Sequence, residues 1–190
     1  MYLAKAPSVH SDGTWRSCPK PFQQLYTLHG YKHYLAVPLV YCLLTNKDTA
    51  TYRYVLDILA ERIQDLLGKP WTPPQFTTDF ESAMISAVRS RFPHCQIHGC
   101  SFHFGQAVLR YIGDCGLKSL YETEARFTEK FRFFLSLQYL EPEKVRQAFL
   151  DRLHSGYWDN FGDVVLTEQQ KEGVSRVSLL YSLFGSLDFH

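Results

Sequence analysis

Residues 22–44 read FQQLYTLHGYKHYLAVPLVYCLL. Two runs rich in aromatic and β-favouring residues, 22–31 and 34–44, flank His29-Gly30-Tyr31-Lys32-His33, and this spacing predicts a β-hairpin. The second run is apolar at nearly every position, which predicts a strand covered on both faces. Pro38 inside it predicts an edge position or a bulge, because proline cannot donate to a ladder. Downstream, the period changes. Asn46 or Asp48 can cap a helix in which Tyr52, Val55, Leu56, Leu59, Ile63, Leu66 and Leu67 recur at three- and four-residue spacing, before Gly68 and Pro70 end it. A short strand follows at 75–79 and ends in Asp79. Then come a helix at 80–92 closed by Pro93, a strand at 95–102 and a helix at 104–112. Upstream, Asp12-Gly13-Thr14-Trp15 opens a strand whose lead, residues 6–11, is poor in β-formers, so a short or frayed first strand is expected.

The element order is three strands, helix, strand, helix, strand, helix. It predicts an α/β (α+β) fold: a mixed sheet with three antiparallel leading strands, then alternating helix and strand, with helices packed on the sheet. Residues 117–154 read as wholly helical, with Phe127, Phe131, Phe134, Leu135, Leu137, Leu140, Val145, Phe149 and Leu153 at helical spacing and Pro142 placed to start a helix. Beyond Gly156 the pattern is irregular, and 179–189 is apolar. The expected organisation is a core at 1–116, a helical insertion at 117–154 and a divergent tail at 155–190.

Two acids stand at the strand ends, Asp12 and Asp79, 67 positions apart. In a sheet whose first and fourth strands lie side by side they converge. Two carboxylates plus phosphate oxygens are a usual ligand set for a hard divalent cation. By themselves, an Asp beside Gly reads equally as a turn residue and an Asp before a helix as an N-cap.

The surrounding words resemble the transposase domain of Mutator-like elements. They are Asp12-Gly13-Thr14-Trp15, Cys18-Pro19-Lys20-Pro21-Phe22, Gln24-Leu25-Tyr26-Thr27-Leu28-His29-Gly30, Val37-Pro38-Leu39-Val40-Tyr41, Thr51-Tyr52, Thr78-Asp79-Phe80-Glu81, Ala87-Val88, Phe92-Pro93 and Gly99-Cys100-Ser101-Phe102-His103-Phe104. The resemblance spans roughly 11–143. It implies an RNase H-like fold and a DDE transposase, which cuts and joins DNA with Mg²⁺ or Mn²⁺ held by Asp, Asp and Glu. Asp12 matches the first acid and Asp79 the second. Cys100 and His103 match the family's Cys-x-x-His pair, and they join the two acids as candidate catalytic residues.

Three departures follow from the same comparison of words. The lead into Asp12 is weak. No Asn-Asn…Glu-Gly segment follows Leu153, and Glu168 and Glu172, the nearest acids by position, do not match it. No zinc-finger module precedes the core. The expectation is therefore a truncated, inactive or impaired transposase core, with a domesticated non-catalytic DNA- or protein-binding module as the alternative. Zinc is disfavoured. His94, Cys95 and His98 lie near the Cys-x-x-His pair, but alternation along a strand turns them to opposite faces, while structural zinc takes four ligands. Glu81 reads as a structural residue at a helix N-terminus.

Bulk properties constrain this reading without deciding it. Aromatic residues make up 15% of the chain, enough for a core and far from a disordered composition. Lys and Arg number 20 against 19 Asp and Glu, so no excess positive charge supports DNA binding, the partner the resemblance implies. Five cysteines form no disulfide pattern and suggest an intracellular chain, with a nuclear location implied by the function. No apolar run is long enough for a membrane span. A homo-oligomer is compatible with the sequence.

Overall fold

The computed structural model describes residues 2–156 and 165–178. The chain forms two compact units that meet in sequence at Cys100 and Ser101. The apolar run at 179–189 lies outside the described residues.

The first unit is a mixed sheet with helices. A short helix α1 (Tyr2–Lys5) precedes β1 (Ser8–Thr14), β2 (Gln24–Lys32) and β3 (Leu35–Leu44), and α2 (Thr49–Leu67), β4 (Gln75–Thr78), α3 (Ser82–Arg91) and β5 (Gln96–Gly99) follow. The strand order is β3-β2-β1-β4-β5. β1 pairs antiparallel with β2 and parallel with β4. β2 pairs antiparallel with β3, and β4 parallel with β5. This is the mixed sheet expected, with the first and fourth strands adjacent.

Period-two alternation sorts the side chains. Val9, Tyr26, Leu28, Phe76 and Ile97 are buried together with Tyr52, Leu56 and Ala60 of α2 and Met84, Ala87 and Val88 of α3. Full burial of a side chain such as Leu28 or Phe76 contributes ~1.5–3 kcal/mol. The α2 stripe works because Tyr52, Leu56 and Ala60 are four residues apart on one face. Asp48 starts the helix: its carboxylate accepts from Thr51 N at 2.7 Å. Gly68 stops it in the left-handed region, at φ 68°, where a side chain would be strained.

Several boundaries differ from the expectation. β1 is seven residues long and starts ahead of Asp12, with Val9 fully buried. Pairing on both sides holds it, whatever its own β propensity. The hairpin turn falls at His33-Tyr34, both at positive φ (52° and 62°), as a two-residue turn between twisted strands requires. β3 is an edge strand with a register shift opposite Leu28 and His29, as Pro38 predicts. It is not covered on both faces: Leu35, Tyr41 and Leu43 are exposed. Its apolar character reflects one packed side and β-favouring chemistry rather than two covering layers. β5 is shorter than expected, and the next helix begins directly at Ser101.

The second unit is helical: α4 (Ser101–Asp114), α5 (Lys118–Thr123), α6 (Ala125–Ser136), a 3₁₀ turn (Leu137–Tyr139), α7 (Pro142–His154) and α8 (Glu168–Ser178). Pro142 stands in the first turn of α7, where its missing N–H costs nothing. Phe104, Val108 and Ile112 are buried on α4, and the rings of Phe127 and Phe131 are 4.6 Å apart between centroids. Part of the region expected to be irregular is ordered. In α8, Thr167 and Gln170 cap each other, with Thr167 N donating to Gln170 Oε1 at 2.9 Å and Gln170 N to Thr167 Oγ1 at 3.2 Å. Gly173 lets α8 lie close to α4: a Cβ there would sit 2.4 Å from the Cys115 carbonyl oxygen.

Candidate functional site

The sheet register sets the two acids level. Val9 sits opposite Phe76 and His10 opposite Thr77; the offset is 76 − 9 = 67, and the same offset carries Asp12 to Asp79, since 79 − 12 = 67. Neighbouring strands run about 5 Å apart. Asp12 lies within β1, and Asp79 directly follows the last residue of β4, Thr78. Alternation turns Asp12 away from the α2–α3 core: it is exposed, while its neighbour Ser11 is buried. Asp79 is half-buried, near enough to the Tyr26 and Tyr52 hydroxyls for its charge to add to the burial that raises their pKa values.

Asp79 leaves the sheet at a tight corner. Thr78 Oγ1 lies 3.3 Å from Asp79 Oδ1, and Glu81 N donates to the same oxygen at 3.4 Å. Cys100 N donates to Thr78 O at 2.8 Å, so β5 fastens the strand just before the acid. The second acid is thus placed by its own loop and by the neighbouring strand.

Behind the acids lies a buried polar layer that sequence reading missed. Ser11, Gln24 and Thr78 are buried, and Tyr52 is fully enclosed. Tyr52 Oη is 2.9 Å from Gln24 Oε1 and 2.9 Å from Glu81 Oε2. One hydroxyl proton cannot serve two acceptors. It goes to the carboxylate, which only accepts, and the Gln24 amide turns so that its NH₂ meets the tyrosine oxygen. Burial pushes the Tyr52 hydroxyl well above its usual pKa, and the bond to Glu81 pushes it further, so it stays a donor. Gly13 makes room for this layer: a Cβ there would fall 1.6 Å from the terminal amide of Gln24. Tyr26 Oη is buried without a formed hydrogen bond, although the Ser11 and Thr78 hydroxyls lie beside it. In sequence Tyr52 looked like one more member of an apolar stripe. Its partners are 28 and 29 residues away in the chain, so no local pattern could show them.

A row of imidazoles lies two residues before the acids on the same face. His10 pairs with His29 on one side and Thr77 on the other, and Thr77 pairs with His98. His10 stacks on Tyr31, with ring centroids 4.7 Å apart. Its pKa is lowered by burial first, then by His29 and His98.

Cys100 closes the first unit and His103 is the third residue of α4 in the second; both are partly buried. Among the described residues no three His, Cys, Asp or Glu side chains are grouped to hold a metal ion. The carboxylates of Asp12 and Asp79 are oxygen donors of the type that hard cations such as Mg²⁺ take. One carboxylate oxygen of Glu81, Oε2, accepts from Tyr52 on the core side.

The family model of the MULE transposase domain matches residues 8–107, which is 100 of the 190 residues. The chain belongs to this family. The match covers β1 to β5 and the start of α4, and so takes in Asp12, Asp79, Cys100 and His103. No curated protein matches the chain. Among the described residues no helix is long and apolar enough to cross a membrane.

Proposed function

We propose that this MULE domain is the core of a DDE transposase, a metal-dependent enzyme acting on DNA, in which Asp12 and Asp79 hold Mg²⁺ or Mn²⁺. The observation that carries the reading is the parallel pairing of β1 with β4, whose offset of 67, continued past the paired residues, leads from Asp12 to Asp79. A divalent cation bound there supplies Lewis-acid activation of a water or 3′-hydroxyl and stabilises the leaving oxygen. The chain's own contribution is to hold two carboxylates at one level and to keep the Asp79 corner fixed. Cys100 and His103 belong to the same reading only as the residues that match the family's Cys-x-x-His pair. The enzyme works in the nucleus, on transposon ends or target DNA, and a homo-oligomer is compatible with that work. In domain terms, 1–116 is the core, 117–154 a helical insertion and 155–190 a divergent tail.

The proposal takes this chain as impaired because neither Glu168 nor Glu172, the nearest acids by position, matches the family's third-acid segment. That observation also favours a second reading, a DNA- or protein-binding module that retains the fold without the chemistry. Calorimetric titration with Mn²⁺ of the protein and of Asp12→Asn and Asp79→Asn tests the metal site. Binding that each substitution weakens at least tenfold supports it. A folded protein without Mn²⁺ binding, or with binding indifferent to both substitutions, refutes it and leaves the binding-module reading.

A further inference from the structure

The buried layer behind the acids contains more polar machinery than packing needs. α2 and α3 pack through Tyr52, Leu56, Ala60, Met84, Ala87 and Val88. An all-apolar residue at 52 would serve that contact without enclosing a hydroxyl, which must then find partners. Here the partners are Gln24, on the central hairpin, and Glu81, at the entry to α3. Glu81 stands at the N-cap position yet its side chain caps nothing in its own helix. Its carboxylate points instead to Tyr52, while its backbone N–H reaches the carboxylate of Asp79 and its carbonyl accepts from Met84 N and Ile85 N, both at 3.1 Å.

We propose that Tyr52 is a positioning residue for Asp79. Its hydroxyl anchors Glu81, and through the Glu81 backbone it fixes the strand-to-helix corner that carries the second acid. Gln24 holds the phenol from the other side, and Gly13, next to Asp12, leaves the space in which Gln24 lies. One buried network thereby ties the strand of the first acid to the corner of the second. The inference rests on the metal-site reading for its purpose, but not for its geometry.

Two measurements separate these. The first is Mn²⁺ affinity of the full chain and of Tyr52→Phe, Glu81→Ala and Glu81→Gln. Groups that orient metal ligands are typically worth about 10–100-fold in affinity. Tyr52→Phe and Glu81→Ala are each expected to weaken Mn²⁺ binding by about tenfold or more. Glu81→Gln keeps an acceptor for the hydroxyl and stays near wild type. The second is amide hydrogen exchange in metal-free protein. Tyr52→Phe accelerates exchange at residues 79–82 while the amides of β2 keep their protection. Wild-type exchange at 79–82 in Tyr52→Phe overturns the proposal, as does a uniform acceleration that includes β2, which marks a plain loss of stability. Glu81→Gln behaving as badly as Glu81→Ala also overturns it, because charge and not anchoring would then matter. If the wild-type chain binds no Mn²⁺, the metal-site reading fails and the exchange measurement alone decides the role of Tyr52.

Discussion

The two faces of the sheet are built to opposite rules from the same seven-residue strand. On one face of β1, Val9 and Ser11 are buried, and Gly13 gives way to the Gln24 side chain beneath α2 and α3. On the other, His10 and Asp12 alternate with them and lie beside His29, Thr27 and Thr77. The packed face holds large apolar side chains with a thin polar layer at its end. The opposite face holds polar and titratable groups, His10, Asp12 and Thr77 among them. Period-two alternation lets both coexist, since neither set has to share volume with the other. A carboxylate on the acid face escapes the desolvation cost it would bear on the core side.

The most severe way to break the comparison is to remove volume from one face only. Phe76 is fully buried on β4. Phe76→Ala is expected to lower unfolding free energy by ~3–5 kcal/mol in urea denaturation. Thr77→Ala, the next residue but on the other face, is expected to cost less than about 1 kcal/mol. Equal losses would show that both faces are packed cores.

Gly13→Ala comes next. The added methyl displaces the Gln24 amide and breaks its contact with Tyr52. The expected cost is ~1–3 kcal/mol, the usual penalty for overpacking and for stranding a buried polar group. Asp12→Asn, one residue earlier, is expected to stay within ~0.5 kcal/mol. Thermal unfolding of the two variants side by side checks the contrast, and a tolerant Gly13→Ala would mean that Gln24 moves freely.

Tyr26→Phe sharpens the comparison in the other direction. The hydroxyl is enclosed on the packed face without a formed hydrogen bond. Its removal keeps the ring and discards an unpaired polar atom, so stability is expected to be unchanged or to rise by up to ~1 kcal/mol. A loss above ~1 kcal/mol would show that the Ser11 and Thr78 hydroxyls turn to pair with it in solution.

These contrasts also mark what the sequence could show. The helix caps at Asp48 and Gly68 and the bulge at Pro38 were legible because each follows from one residue's local chemistry. The adjacency of the first and fourth strands was legible from the element order, and the structure pairs them in parallel. The length of β1 was not legible, since Ser8, Val9 and His10 are held by β2 and β4 rather than by their own propensity. Nor was the exposure of β3, whose apolar run gives no sign that one of its sides lies uncovered. The Tyr52 network was hidden for a related reason. A tyrosine on a helical stripe reads as core, and its hydroxyl's partners are fixed only when α2 lands on β2 and α3. Likewise, His10, His29 and His98 are far apart in sequence and form a row only through three strand registers.

That row supplies the smallest expected effect. The His10 pKa is lowered from 6.5, chiefly by burial and further by His29 and His98. Tyr31 stacks on its ring, the other two imidazoles flank it across the sheet, and Asp12 stands two residues on along its own strand. A base with a depressed pKa takes up fewer protons folded than unfolded. Its contribution to stability is therefore fully present above pH 6.5 and is lost as pH falls from there through the lower folded value. His10→Gln removes this proton linkage. The expected result is a flatter stability profile below pH 6.5 in the variant than in the wild type, read from urea midpoints at several pH values. Parallel profiles would mean that His10 carries none of the acid sensitivity. A steeper profile in the variant would mean that protonated His10 gains more from Asp12 than it loses by burial, and that the acids and the imidazole row act as one electrostatic unit.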